Sequence, residues 1–144
     1  MPLLSRVYIR TAALYFLAGF TAGALMLAHK GVFLHPIMWR LLPLHIEFLL
    51  FGWTFQFALG VAYWILPRFE GGASRGPEAP VWLAYALLNI GVVLIALAGL
   101  RGGAPTLTLI GRVCELLAVV SFAVNAWPRV KPFRVDAHEG LVRK

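Results

Sequence analysis

Four apolar runs, each about twenty residues long, limit what this chain can fold into. They cover about residues 8–28, 43–66, 80–100 and 106–127. A helix rises about 1.5 Å per residue, so each run can cross roughly 30 Å of hydrocarbon. The short alternating segments that a closed β-barrel needs are not seen. Sixty per cent of the 144 residues are hydrophobic. A soluble domain of this size cannot hide that much apolar surface. The sequence therefore predicts an all-α membrane protein: a four-helix transmembrane bundle over residues 1–128, followed by a basic tail over 129–144.

The connections carry turn residues. Gly71-Gly72-Ala73-Ser74-Arg75-Gly76-Pro77 separates the second and third spans, and Arg101-Gly102-Gly103-Ala104-Pro105 the third and fourth. Between the first two spans, Lys30 to Leu42 is too apolar for an ordinary loop. It holds Phe33, Leu34, Ile37, Met38 and Trp39, which fits a segment lying along the membrane interface. The tail after Pro128 is polar and is expected to be mostly exposed. The run from Thr11 to Ala28 follows Arg6 and Arg10 but is longer than a signal-peptide core, so it reads as a retained span.

The net charge of +7 comes mainly from residues that flank the spans. Four spans put both termini on one side. That side carries Arg6, Arg10, Arg68, Arg75, Arg129, Lys131, Arg134, Arg143 and Lys144; the other has Lys30, Arg40 and Arg101, with Arg112 just inside the fourth span. The imbalance favours both termini in the cytoplasm of a bacterial-type inner membrane, with anionic lipid as the partner of the basic side. No basic helix or aromatic reading surface stands apart from the spans, which argues against nucleic acid. The single cysteine, Cys114, forms no internal disulfide and reads as a small buried apolar residue.

The second span holds the most informative residues: Arg40-Leu41-Leu42-Pro43-Leu44-His45-Ile46-Glu47 runs into Phe51-Gly52, Gln56, Gly60, Tyr63 and Leu66-Pro67. An ionisable side chain in a membrane helix is costly without a partner, so His45 is a functional candidate. Imidazole is also a common ligand of haem iron. If the span starts at Pro43, His45 lies in its first turn, where proline costs nothing. If it starts nearer Ile37, Pro43 makes a kink and His45 is deeper. At helical spacing His45 shares a face with Leu49, Gly52, Gln56 and Tyr63, with Gly60 at its edge. A glycine at position 52 would let a flat macrocycle lie close to the backbone.

The pattern Arg-x-x-Pro-Leu-His, then Phe-Gly, a second glycine, Tyr and Leu-Pro, resembles the second transmembrane helix of the catalytic subunit of haem-copper oxidases and nitric-oxide reductases. The resemblance covers about thirty residues, and the first two spans weakly. It implies that His45 is an axial ligand of a low-spin haem toward the outer side of the membrane. The distribution of basic residues independently places His45 on that side. The chain departs from the family in having four spans rather than about twelve. It has only His29, His35, His45 and His138, and no His-x-His or His-His pair. One copy therefore cannot assemble a dinuclear oxygen- or nitric-oxide-reducing centre.

His29, at the end of the first span, is a candidate second ligand; its bland reading is an interfacial histidine beside Lys30. His35 precedes Pro36 and reads as a surface residue, and His138 lies in the tail on the other side. Arg40 and Arg112 are candidates for haem propionates, since a guanidinium fork matches a carboxylate. Arg40 can equally snorkel to headgroups. For Arg112 an intrahelical pair with Glu115, three residues on, is the stronger alternative. Glu47 either orients a ligand, pairs with an arginine or faces water. Phe48, Phe51, Trp53, Phe55, Phe57 and Trp64 are compatible with a haem pocket and equally with lipid. Gly19-Phe20-Thr21-Ala22-Gly23 is a G-x-x-x-G, a pattern that allows close helix contact.

The expected function is that of an integral membrane protein with non-covalent haem b and His45 on the iron, serving electron transfer or gas binding. The alternative is a haem-free structural or assembly subunit of a respiratory complex. Transport has little support, because neither repeated nor discontinuous spans are evident. Since one chain offers one firm ligand, a homodimer is expected, with a homotrimer as the alternative.

Overall fold

A computed structural model describes residues 1–68 and 75–130 of the chain. Four helical spans are present, and no strand occurs among the described residues. The tail beyond Val130, with His138, lies outside the described residues.

Helix α1 spans Leu3–Gly31, α4 Ala79–Leu100 and α5 Pro105–Ala126. Each is apolar on nearly every side. The spans bury only part of their apolar residues against one another; Leu14, Leu17, Leu109, Leu116 and Val124 all point outward. Helices hydrophobic all round need an apolar solvent. The molecule is thus a multi-pass, four-helix, all-α membrane protein.

The second span takes the deeper of the two expected starts. It is helical from Pro36 to Ile65, opening with a 3₁₀ turn over Pro36–Arg40 that His35 caps through its Nδ1, which accepts the Ile37 N–H at 3.2 Å. Helix α2 follows over Leu41–Glu47, so Pro43 lies within the helical run and His45 two residues further in. The span then widens into a π-helix over Phe48–Phe55 before closing as α3 over Gln56–Ile65. π-helical turns are rare and bond i to i+5. Here the widening has a visible effect on register. The buried residues are Glu47, Gly52, Gln56, Gly60 and Tyr63, and the five-residue step from Glu47 to Gly52 crosses the π segment. A uniform 3.6-residue repeat instead put His45 on that face; it is only half-buried.

The main packing pairs are α1 along the second span, the second span on α4, and α4 along α5. One core cluster joins all four spans through Leu4, Tyr8, Tyr63, Val81, Ala84 and Phe122. Tyr8 anchors it by donating its hydroxyl to the Val81 carbonyl at 2.9 Å. Leu88, Val92 and Ala118 form a second cluster, covered by Tyr15, Phe48 and Phe51. The α4–α5 turn is short because Gly102 and Gly103 take φ of +80° and +97°, values that favour glycine. Their N–H groups bond back to the Gly99 and Ala98 carbonyls, each at 3.0 Å, and close the end of α4.

Arg129 departs from expectation. Read from sequence as an exposed basic residue of the tail, it is instead 1% exposed. Its guanidinium donates to the carbonyls of Tyr63 (3.0 Å), Leu66 (2.9 Å) and Pro67 (3.0 Å), and to Asn125 Oδ1 at 3.3 Å. The physical reason lies at the end of α3. That helix stops before Pro67 and leaves carbonyls without intrahelical donors, and a five-donor fork can satisfy several at once. Arg129→Ala should destabilise the protein by about 2 kcal/mol. Arg129→Lys should recover only part of this, because an ammonium cannot span the same carbonyls. Detergent-unfolding curves of the two variants would measure both effects.

Candidate functional site

Four glycines set the contact between α1 and the second span. A Cβ built on Gly19 would sit 2.7 Å from Leu49 Cδ2, on Gly23 2.7 Å from His45 Cε1, on Gly52 2.5 Å from Tyr15 Cγ, and on Gly60 2.7 Å from Tyr8 Cβ. Each glycine is a hole, and a large side chain of the opposite helix fills it. Close backbone approach of this kind is what small residues permit in membranes. The G-x-x-x-G of α1 is therefore spent inside the chain, on Leu49 and His45. Gly52, expected to bare the helix to a macrocycle, faces the Tyr15 ring.

The size match gives a direct test. Gly52→Leu should cost about 3 kcal/mol, the upper range for overpacking, since even one carbon clashes with Tyr15. Adding Tyr15→Ala should recover most of that loss. The interaction energy from a double-mutant cycle in a reversible unfolding assay is the quantity to measure.

His45 sits on the Gly23 hole, and its Nδ1 lies 2.8 Å from the Gly19 carbonyl oxygen. A carbonyl only accepts, so Nδ1 carries the proton in this bond. The lone pair of the neutral ring is then on Nε2. The ring borders an open cavity of about 230 Å³, lined also by Gly23, Met26, Leu27, Lys30, Trp39 and Leu42.

His29 is arranged the other way round. Its Nδ1 accepts the Leu34 N–H at 3.1 Å, so its lone pair is committed to the chain leaving α1. The ring is 8% exposed and packs near Phe33 and Trp39. It lies six residues past Gly23, so it points about a third of a turn away from the helix face that meets His45.

The two arginines come together on another side of the second span. Arg40 and Arg112 line one cavity of about 500 Å³, with Trp39, Pro43, Gly99, Gly102 and Thr108. Trp39 borders this cavity and the one at His45. Pro43 fills the place of the missing Gly99 side chain, which holds α2 against α4.

Arg112 also makes the densest set of charged contacts. Its Nη1 donates to Glu115 Oε2 at 2.7 Å and to Glu47 Oε1 at 3.2 Å, and its Nη2 donates to Glu47 Oε2 at 2.9 Å. The guanidinium carbon lies 4.9 Å from the centre of the Phe51 ring. Both carboxylates are almost fully buried. The pair with Glu115 is the intrahelical one expected from the three-residue spacing. The fork onto Glu47 bridges α5 to α2 across 65 positions, so Glu47 pairs with an arginine rather than facing water. Glu47 follows His45 by two residues, about 200° round the helix. That is why the histidine turns to α1 and the carboxylate to α5.

Among the described residues, no three His, Cys, Asp or Glu side chains gather as a metal cage. Comparison with protein families, with curated proteins and with solved structures finds no match. The fold and these two neighbourhoods define a small multi-pass membrane protein with an oriented imidazole on one side of its second span. On another side is an ion triad whose two carboxylates are buried.

Proposed function

We propose that this chain is an integral membrane haem b protein of electron transfer or gas binding, in which His45 holds the iron through Nε2. The observation that carries the reading is the orientation of His45. A histidine that binds metal through one nitrogen commonly donates the other N–H to a carbonyl, which fixes tautomer and ring direction. The Gly19 carbonyl, 2.8 Å from Nδ1, is such a partner. Lys30 and Trp39 on the same cavity supply a cation and an apolar wall. A haem with imidazole on both faces supplies one-electron transfer; with one face open it binds gases.

The second ligand on this reading is a histidine of a second copy, because the His29 lone pair is engaged by Leu34. The cavity at His45 is also smaller than the roughly 300–1,000 Å³ of ordinary cofactor pockets. A second chain would complete its walls. A homodimer is the simplest such assembly and a homotrimer the alternative. On this reading the protein belongs to a bacterial-type inner membrane.

A haem-free structural or assembly subunit of a respiratory complex is the second reading. It is favoured by the Tyr15 ring against Gly52, where a macrocycle lying close to the backbone would need open space. The two readings separate on protein purified from haem-replete cells. A b-type spectrum with a positive pyridine haemochrome supports the first, and colourless protein supports the second. Carbon monoxide should leave the reduced spectrum unchanged if both iron faces carry imidazole.

A further inference from the structure

The second span separates two cavities. His45 borders the one of about 230 Å³ beside α1, whereas Arg40 and Arg112 line the one of about 500 Å³ beside α4 and α5. Pro43 holds the span against α4 between them: a Cβ added at Gly99 would lie 2.8 Å from Pro43 Cβ. The two arginines thus serve a different cavity from that of the candidate iron ligand.

Arg40 is a cation without a partner. Among the described residues it makes no ion pair and no side-chain hydrogen bond. Its guanidinium lies over the turn between α4 and α5, with Cζ 3.7 Å from the place a Gly102 Cβ would take. Arg112 still has donors to give. Glu47 and Glu115 accept three bonds from its Nη1 and Nη2, which leaves Nε–H and one Nη2–H. Those carboxylates are 2% and 5% exposed and line no part of the cavity; the Arg112 side chain is 46% exposed and does.

The charge balance at this end of the spans is positive. Arg40, Arg112 and Arg101 of the turn stand against Glu47 and Glu115, so one positive charge is left over. A phosphodiester carries one negative charge, and its two free oxygens match guanidinium donors. The remaining wall includes Pro43, Ile95 and Ala98, which suit a glycerol and the first methylenes of an acyl chain better than the water shell of a free ion. The depth also fits. Arg40 closes the 3₁₀ turn at the entry of its span, and Arg112 lies seven residues beyond Pro105, about 10 Å down α5. The headgroup region of a bilayer covers such a depth.

We propose that this cavity binds the phosphate of one anionic phospholipid. Arg40 and Arg112 hold its two free oxygens, and its glycerol rests against Pro43 and Ile95. The site lies apart from His45 and does not depend on haem.

The test is native mass spectrometry of the full chain in detergent, with added phosphatidylglycerol or phosphatidylcholine of the same acyl chains. Phosphatidylglycerol should bind as one lipid per chain, about tenfold more tightly than phosphatidylcholine. Arg40→Gln should remove that preference and still fold, since Arg40 holds no other part of the protein. Arg101→Gln takes a charge from the same turn but no wall from the cavity, so it should keep most of the preference. Equal binding of the two lipids by the wild type overturns the proposal, as does a preference that survives Arg40→Gln. An equal loss in Arg40→Gln and Arg101→Gln also overturns it, because the attraction would then belong to the whole surface. Displacement of phosphatidylglycerol by inorganic phosphate would overturn the lipid assignment in favour of a free anion. Haem loss in Arg40→Gln with the lipid preference intact would give the arginine to a propionate instead.

Discussion

His45→Ala is expected to leave the purified protein without haem, while the protein still inserts and folds. Each half of that outcome has a separate cause. Haem loss follows because the ring whose Nδ1 bonds the Gly19 carbonyl is the only imidazole among the described residues with Nε2 so oriented. The Nδ1 lone pairs of His29 and His35 serve the Leu34 and Ile37 N–H groups instead. Retention of the fold follows because a half-buried ring on a glycine hole is one contact of four along the seam; Leu49, Tyr15 and Tyr8 fill the others. Removing one side chain of that size costs about 2–3 kcal/mol.

Imidazole in the medium provides the control. The alanine leaves a hole shaped for that ring, so added imidazole should restore part of the b-type spectrum. His29→Ala should keep full haem content. A haem-to-protein ratio unchanged in His45→Ala would remove His45 from the iron. If the wild type itself is colourless, the haem-free reading stands and the substitution has only its packing effect.

The spans were legible from apolar run length, because lipid imposes that length on any helix that crosses it. Their inner ends were less so. The sequence put the first span at about 8–28, whereas α1 runs Leu3–Gly31. Arg6, Arg10 and Lys30 interrupt the hydrophobic run but not the backbone hydrogen bonding. The π segment left no readable sign. A search at 3.6 residues per turn passes over a five-residue step, so it sets His45 on the face where Glu47 is the buried residue.

The Arg112–Glu115 pair was visible because it lies within one helix. Its extension to Glu47 was not, since it depends on α4 and α5 bringing position 112 back to position 47. Arg129 was misplaced for a similar reason. A basic residue after the last apolar run normally flanks the membrane, and only the tertiary structure shows three carbonyls of another span waiting for it. The G-x-x-x-G at 19 and 23 is legible as a point of close helix approach, whereas Gly52, expected to face a macrocycle, and Gly60 meet Tyr15 and Tyr8. Sequence alone could not say that their partners are side chains of the same chain.

Arg112→Leu should be the most damaging single substitution. Leucine suits the apolar surroundings and matches much of the stem, so little of the loss comes from packing. The damage lies in what remains. Glu47 loses both donors of its fork, and Glu115 loses a bond of 2.7 Å. Breaking a buried ion pair on one side typically costs about 3–5 kcal/mol, because the abandoned charge stays buried. A marginally stable chain does not absorb that easily.

Removing the stranded charges should reverse most of the effect. In the triple variant Arg112→Leu, Glu47→Gln, Glu115→Gln, the two amides can bond to each other, and no net charge remains in the span. It should recover to within about 1–2 kcal/mol of the wild type, as buried ion clusters replaced whole often do. Unfolding in mixed micelles measures both quantities. A triple variant no more stable than Arg112→Leu would mean that the guanidinium acts through its contact with Phe51, 4.9 Å from the ring centre, rather than through its charge.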